Sequence, residues 1–225
     1  MQHRTAPGQL WRRAAAALLA ALLAVLLATL PAGAAAADNS LARIAQSGRV
    51  VLGVRDTTLP LSYLDIGGSH LGYHVDICQH VVQALQQRLQ LPELKAVMLP
   101  TTAATRFAVL HNGSVDIECG HNPVNAAAQA QARLSLPTLI VEERVMALAT
   151  PSGAMPGADW LAGRRIGVVA GTTTVPALRS LARSAGFRAI EFAGREAGEV
   201  FAWLEQGQVD AVALAAPYLL AQRAT

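Results

Sequence analysis

Two arginines and a run of threonines are the residues whose types and spacing carry chemistry. Arg55 follows directly on the apolar stretch 50–54, and Arg106 lies in the first turn of a helix expected over 105–111. The dipole at that helix end favours an acid rather than a base. Ends of parallel strands and neighbouring helix starts are where open α/β sheets hold ligands, and a guanidinium there makes a forked pair of hydrogen bonds to a carboxylate. Taken singly, each arginine also reads as a solvated surface side chain. The second feature is Gly171-Thr172-Thr173-Thr174, set between a strand and a helix. Free backbone N–H groups and hydroxyls converging on a helix start suit a carboxylate or phosphate. Ordinary capping by Thr174, with no ligand, accounts for the same residues. The Lys-Ser/Thr pair of a Walker-type phosphate loop is missing. The histidines and cysteines lack metal-ligand spacing, so neither metal nor cofactor is expected.

The elements that must position these groups follow one grammar. A short helix ending at Gly48 precedes the strand 50–54, whose unbroken apolar run fits a strand covered on both faces. Pro60 and Gly67-Gly68 punctuate a loop holding an extended piece, SYLD. A helix over 75–89 shows one apolar face. Strand 95–99, helix 105–111 with Gly113 as its cap, strand 114–119 and helix 125–133 come next, and then an extended stretch, LIVEERVMALAT. PSGAMPG marks the passage to a second lobe. There the pattern restarts with strands 165–169, 189–192 and 209–214, helices 175–185 and 196–206, and a last helix from Pro217. Alternating strand and helix predicts α/β architecture with parallel pairing. The expected division is 1–37 export signal, 38–147 first lobe and 148–225 second lobe.

The start of the chain carries Arg4, Arg12 and Arg13, an apolar run over 14–30, and small residues through Ala37. That order reads as a cleavable secretory signal, cut before Asp38. The 18 Lys+Arg and 15 Asp+Glu of the whole chain become balanced once those three arginines are set aside. A neutral mature chain removes the basic surface that nucleic-acid binding needs. In an oxidising compartment Cys78 and Cys119 read either as a disulfide or as two small buried hydrophobes.

The segments GRVVLGVRDTTLPLSYLD, LGYHVDIC, LHNGSVDIECG, RIGVVAGTTT and LEQGQVDAVAL, in this order, resemble the periplasmic amino-acid-binding proteins of ABC importers. These belong to extracellular solute-binding protein family 3, and the resemblance is greatest to the glutamate/aspartate-binding branch. It implies a two-lobed periplasmic binding protein fold with parallel-rich sheets and a cleft that closes on one small solute. It also implies a monomer without enzymatic activity, whose partners are that solute and a membrane permease. By that resemblance Arg55 and Arg106 hold a ligand's side-chain carboxylate, Thr172 and Thr173 close over it, and Gly120 and His121 line the cleft.

Departures from the pattern carry expectations of their own. The arginine that grips the α-carboxylate aligns with Ala128, and the acid that pairs with the α-amino group aligns with Ala215 or Ala216. Leu61 replaces an aromatic, and the return segment to the first lobe is missing, which suggests a shortened product with an unpaired sheet edge. An unpaired charge in a closed cleft costs several kcal/mol, so weak binding of ordinary amino acids is expected. Two competing readings are a degenerate sensory homologue and a cyclohexadienyl-dehydratase-like enzyme using Glu118 or His121 as a general acid.

Overall fold

Strand β1 (Arg49–Val54) organises the first lobe. Its alternate residues Val50, Leu52 and Val54 are fully buried. It lies between two parallel neighbours: β5 (Lys95–Pro100), in register from Arg49 opposite Lys95 to Val54 opposite Pro100, and β6 (Ile117–Glu118). In this computed structural model residues 40–149 and 157–224 are described. The expected export signal, Thr225 and all of PSGAMPG except Gly157 lie outside the described residues. The chain divides into residues 1–43 and 44–225, and both lobes belong to the second unit.

Helix α1 (Ser40–Ser47) leads through Gly48 into β1. Helix α2 (Tyr73–Leu89) covers the sheet with Val75, Cys78 and Val82. Its C-terminal residue is followed by Gln90 in the left-handed region, whose N–H reaches the last carbonyls. Between β1 and α2 lies a small antiparallel sheet of β2 (Thr57–Thr58), β3 (Ser62–Leu64) and β4 (His70–Leu71), where the sequence predicts only one extended piece. Helix α3 (Arg106–His111) begins one residue later than expected. The strand expected over 114–119 contracts to the two residues of β6. The helix expected over 125–133 is α4 (Ala126–Gln129), with the Asn125 side chain accepting from the Ala128 N–H at 2.9 Å.

The second sheet has the order β7-β10-β8-β9. Strands β8 (Arg165–Val169), β9 (Ile190–Gly194) and β10 (Ala211–Ala215) run parallel, and β7 (Glu143–Met146) joins the edge antiparallel to β10. The lobe boundary expected at 147/148 thus falls after a strand that hydrogen-bonds into the second sheet. Helices α5 (Thr174–Ala185), α6 (Ala197–Glu205) and α7 (Ala216–Ala224) complete the lobe. One apolar core unites Val169, Val200, Leu214 and Tyr218 of this lobe with Leu61 and Ala103 of the first. The two lobes are therefore in direct apolar contact.

Cys78 of α2 and Cys119, immediately after β6, are joined in a disulfide with Cα atoms 6.2 Å apart. The alternative of two free hydrophobes is set aside. The link pins α2 to the chain that carries Gly120 and His121. Closing a loop of 41 residues removes denatured-state entropy, for which the chain-entropy model gives about 4 kcal/mol. Replacing both cysteines by serine should lower the unfolding free energy by roughly 2–4 kcal/mol in urea titrations. An unchanged midpoint would show that the cross-link contributes nothing to stability.

Candidate functional site

The last residues of β1 bring Arg55 inward. Its backbone N–H donates to Ser62 Oγ at 2.8 Å, which holds the turn into the small antiparallel sheet. The residue is 3% exposed, and Arg106 at the start of α3 is 5% exposed. Neither arginine is the solvated surface side chain that each allowed when read singly. Both line one cavity with His121, Thr172, Thr173 and Tyr218. The space between these side chains amounts to about 460 Å³, part of it open to solvent.

The guanidinium of Arg55 reaches across to the second lobe. Nη2 donates to both carboxylate oxygens of Glu196, at 2.9 and 2.7 Å, and Thr57 Oγ1 donates to the same carboxylate at 3.0 Å. Glu196 is the residue before α6. A charge pair this enclosed is sensitive to losing either member, since the other is then left desolvated and alone. Arg106 crosses as well. Nη1 donates to the Ala103 carbonyl and Nη2 to the Gly171 carbonyl, the latter at 3.1 Å. Gly171 turns the chain here with φ +75, a conformation that costs glycine little. Among the described residues the Nε atoms of both arginines are buried without a hydrogen-bond partner. Burial pulls the Arg106 guanidinium below its ordinary value, and nearby Glu118 opposes that shift.

Gly120 does not line the cavity but has a steric role beside it. A Cβ placed there would lie 2.8 Å from Arg55 Cγ and 2.7 Å from Glu118 Oε1, so only glycine lets the Arg55 stem pass. Glu118 accepts hydrogen bonds from Thr101 Oγ1 at 3.0 Å, the Gly120 N–H at 3.1 Å and Asn122 Nδ2.

His121 forms part of the cavity wall in a row of rings. It stacks on His74 at 6.4 Å and meets the edge of Tyr218 at 5.4 Å. Burial, then the charges of Arg55 and Arg106, hold the His121 pKa below its usual value, with Glu143 opposing. Burial raises that of Tyr218. His74, 9% exposed, is lowered from 6.5 to about 4 by burial and by His121, and among the described residues only Thr138 Oγ1 stands at hydrogen-bonding distance from its ring, at 3.3 Å. The native molecule then binds fewer protons than the unfolded chain between those two values. Its stability is therefore full above about pH 6.5 and falls as pH drops toward 4. After allowance for residual solvent screening, the loss should be on the order of 2 kcal/mol. His74→Gln should flatten urea midpoints measured between pH 7.5 and 4.5, and an equally steep profile in that variant would remove His74 as the cause.

The threonine turn carries two hydrogen-bonding roles. Thr172 Oγ1 donates to the Val169 carbonyl at 2.7 Å. Thr173 Oγ1 and Thr174 Oγ1 donate to Oε1 and Oε2 of Glu143, at 2.7 and 2.5 Å. Capping by Thr174 is corrected: Thr173 is the capping residue, it makes no side-chain capping bond, and Thr174 already lies inside α5. A carboxylate does sit at this helix start, and it belongs to β7.

Glu143 and Glu196 are the site residues that sequence reasoning missed. Glu143 breaks the apolar run of LIVEERVMAL, and its register sets it directly opposite Ala215, where the resemblance led to the expectation of an acid. Ala215 itself lines the cavity, whereas Ala128 is buried outside its lining.

Fold and cavity together define a two-lobed α/β protein with a cavity lined from both lobes. Comparison with known proteins then fixes the family. Residues 50–159 match the model of the bacterial extracellular solute-binding proteins, family 3. The chain is 32% identical over 194 residues to a glutamate/aspartate import solute-binding protein of Salmonella typhimurium, covering 85% of this chain and 63% of that one. It is 30% identical over 213 residues to the protein of the same name from Escherichia coli, covering 95% and 70%. A mutant of ArgBP from T. maritima superposes with a TM-score of 0.70 at 17% identity, over 82% of this chain and 76% of that one. The chain belongs to the bacterial extracellular solute-binding proteins, family 3, and spans 63% and 70% of the length of these two relatives.

Proposed function

We propose that this protein is exported to the periplasm and binds a small anionic solute, an acidic amino acid or a dicarboxylate, for delivery to the permease of an ABC importer. It does so as a binding component without catalytic activity. The observation that carries the reading is the joint burial of Arg55 and Arg106 on one cavity, each with an Nε that has no hydrogen-bond partner among the described residues. A buried donor left unmade costs free energy that an arriving carboxylate oxygen recovers. The glutamate/aspartate names of the two enterobacterial relatives point the same way.

Calorimetry with L-glutamate, L-aspartate and simple dicarboxylates tests the reading. Heats of binding are expected for these anions, weakening as salt is raised. Tight binding confined to neutral or cationic amino acids would overturn the role given to the arginines.

A further inference from the structure

We infer that Glu196 is an interlobe latch: paired with Arg55 across the cleft, it stabilises the closed arrangement of the lobes from within the chain, so that closure does not depend on a solute. Glu196 is not among the residues lining the cavity, and this role is independent of which solute the cavity takes.

Glu196 precedes α6 in extended backbone, the position whose side chain ordinarily accepts from the first free N–H groups of the helix. It makes no such bond. Both of its oxygens turn to the first lobe instead, accepting from Arg55 Nη2 at 2.9 and 2.7 Å, and Oε2 also accepts from Thr57 Oγ1 at 3.0 Å. Strand β2, which carries Thr57, lies against α6 here, since a Cβ placed on Gly198 would stand 3.6 Å from Thr57 Cβ, an ordinary contact. Arg106 adds a second polar crossing through the Gly171 carbonyl, and Leu61 and Ala103 pack into the core of the second lobe. All of these contacts are made by the chain's own atoms.

The two ends of the ion pair are not equivalent. The Arg55 side chain is 4% exposed and that of Glu196 22%. A guanidinium so enclosed needs a countercharge, because its desolvation otherwise outweighs what neighbouring contacts return. Glu196 supplies that charge from the lobe that swings away in a hinge opening, so opening breaks the pair and closing re-forms it. Without the carboxylate the balance inverts, and Arg55 regains a favourable environment only when the lobes part and water reaches it. Loss of an enclosed pair of this kind should move the ratio of closed to open molecules by roughly thirty-fold or more. The pair uses Nη2, while Nε has no hydrogen-bond partner among the described residues. Latch and solute contact therefore draw on different donors of one guanidinium.

Small-angle X-ray scattering and hydrogen exchange on the full chain, with no solute added, compare the parent with Glu196→Gln and with the double variant Arg55→Met, Glu196→Gln. Glu196→Gln should have a larger radius of gyration than the parent. Amides in 101–106 and 169–174, where Ala103 and Gly171 meet Arg106, should exchange about ten-fold faster or more. Unchanged protection of β1 verifies that the variant is folded. The double variant carries neither charge of the pair and keeps the apolar contacts, so it should return toward the parent in both readouts, which a merely structural defect at position 196 would not allow. Parent-like scattering and exchange in Glu196→Gln would overturn the latch, and so would a double variant as open as the single one. Neither outcome decides the anionic-solute reading, which calorimetry tests separately.

Discussion

Arg55→Ala is expected to abolish solute binding measurable by calorimetry while leaving a folded protein. Truncating one member of an enclosed, hydrogen-bonded charge pair costs about 2–5 kcal/mol, which corresponds to roughly thirty-fold to several thousand-fold in affinity. Two losses combine. The solute loses a buried guanidinium donor, and Glu196 loses the group that holds its carboxylate at 2.7 and 2.9 Å. A free Glu196 carboxylate then repels the proposed anionic solute. Arg55→Lys keeps the charge without the planar fork, and should recover part of the binding. Arg55→Ala that bound glutamate as the parent does would remove Arg55 from the site.

Gly120→Val should weaken binding by at least ten-fold although it replaces no residue that lines the cavity. The added side chain begins 2.8 Å from Arg55 Cγ and 2.7 Å from Glu118 Oε1. Arg55 Cγ is near the root of its side chain and has little room to swing aside. Overpacking of this kind costs about 1–3 kcal/mol of stability, and the guanidinium is displaced from its place between the cavity and Glu196. Urea unfolding and calorimetry on one preparation separate the two effects. Parent-like affinity would show that Arg55 tolerates displacement, and the steric role given to Gly120 would fall.

The fold was legible wherever apolar runs were continuous. Strand β8 occupies the expected 165–169 and β1 deviates by one residue at an end, because largely buried chain cannot hide its composition; β5, only partly buried, also deviates by one residue. Two-residue strands such as β2 and β4 are too short for any periodicity to register. The stretch from 114 to 119 reads as a full strand, yet only Ile117 and Glu118 pair with β1.

At the site, the arginines and the threonine turn were visible as residue types, and what neutralises them was not. Arg55 and Glu196 are 141 residues apart, so no local pattern joins them. Glu143 stands in a segment that the sequence marks only as extended. Its place comes from one register, the pairing that sets it opposite Ala215 and within reach of the Thr173 and Thr174 hydroxyls at the start of α5. A one-residue slip would send it to the other face of the sheet. Sequence supplies the charges of a binding site, while strand register decides which of them meet.

The most direct measurement is a crystal structure of the protein grown with saturating L-glutamate. The account predicts density for one ligand between the lobes, with a carboxylate within hydrogen-bonding distance of Arg55 and Arg106. A ligand bound elsewhere on the molecule, or a cavity still empty at a concentration where calorimetry shows binding, would contradict it.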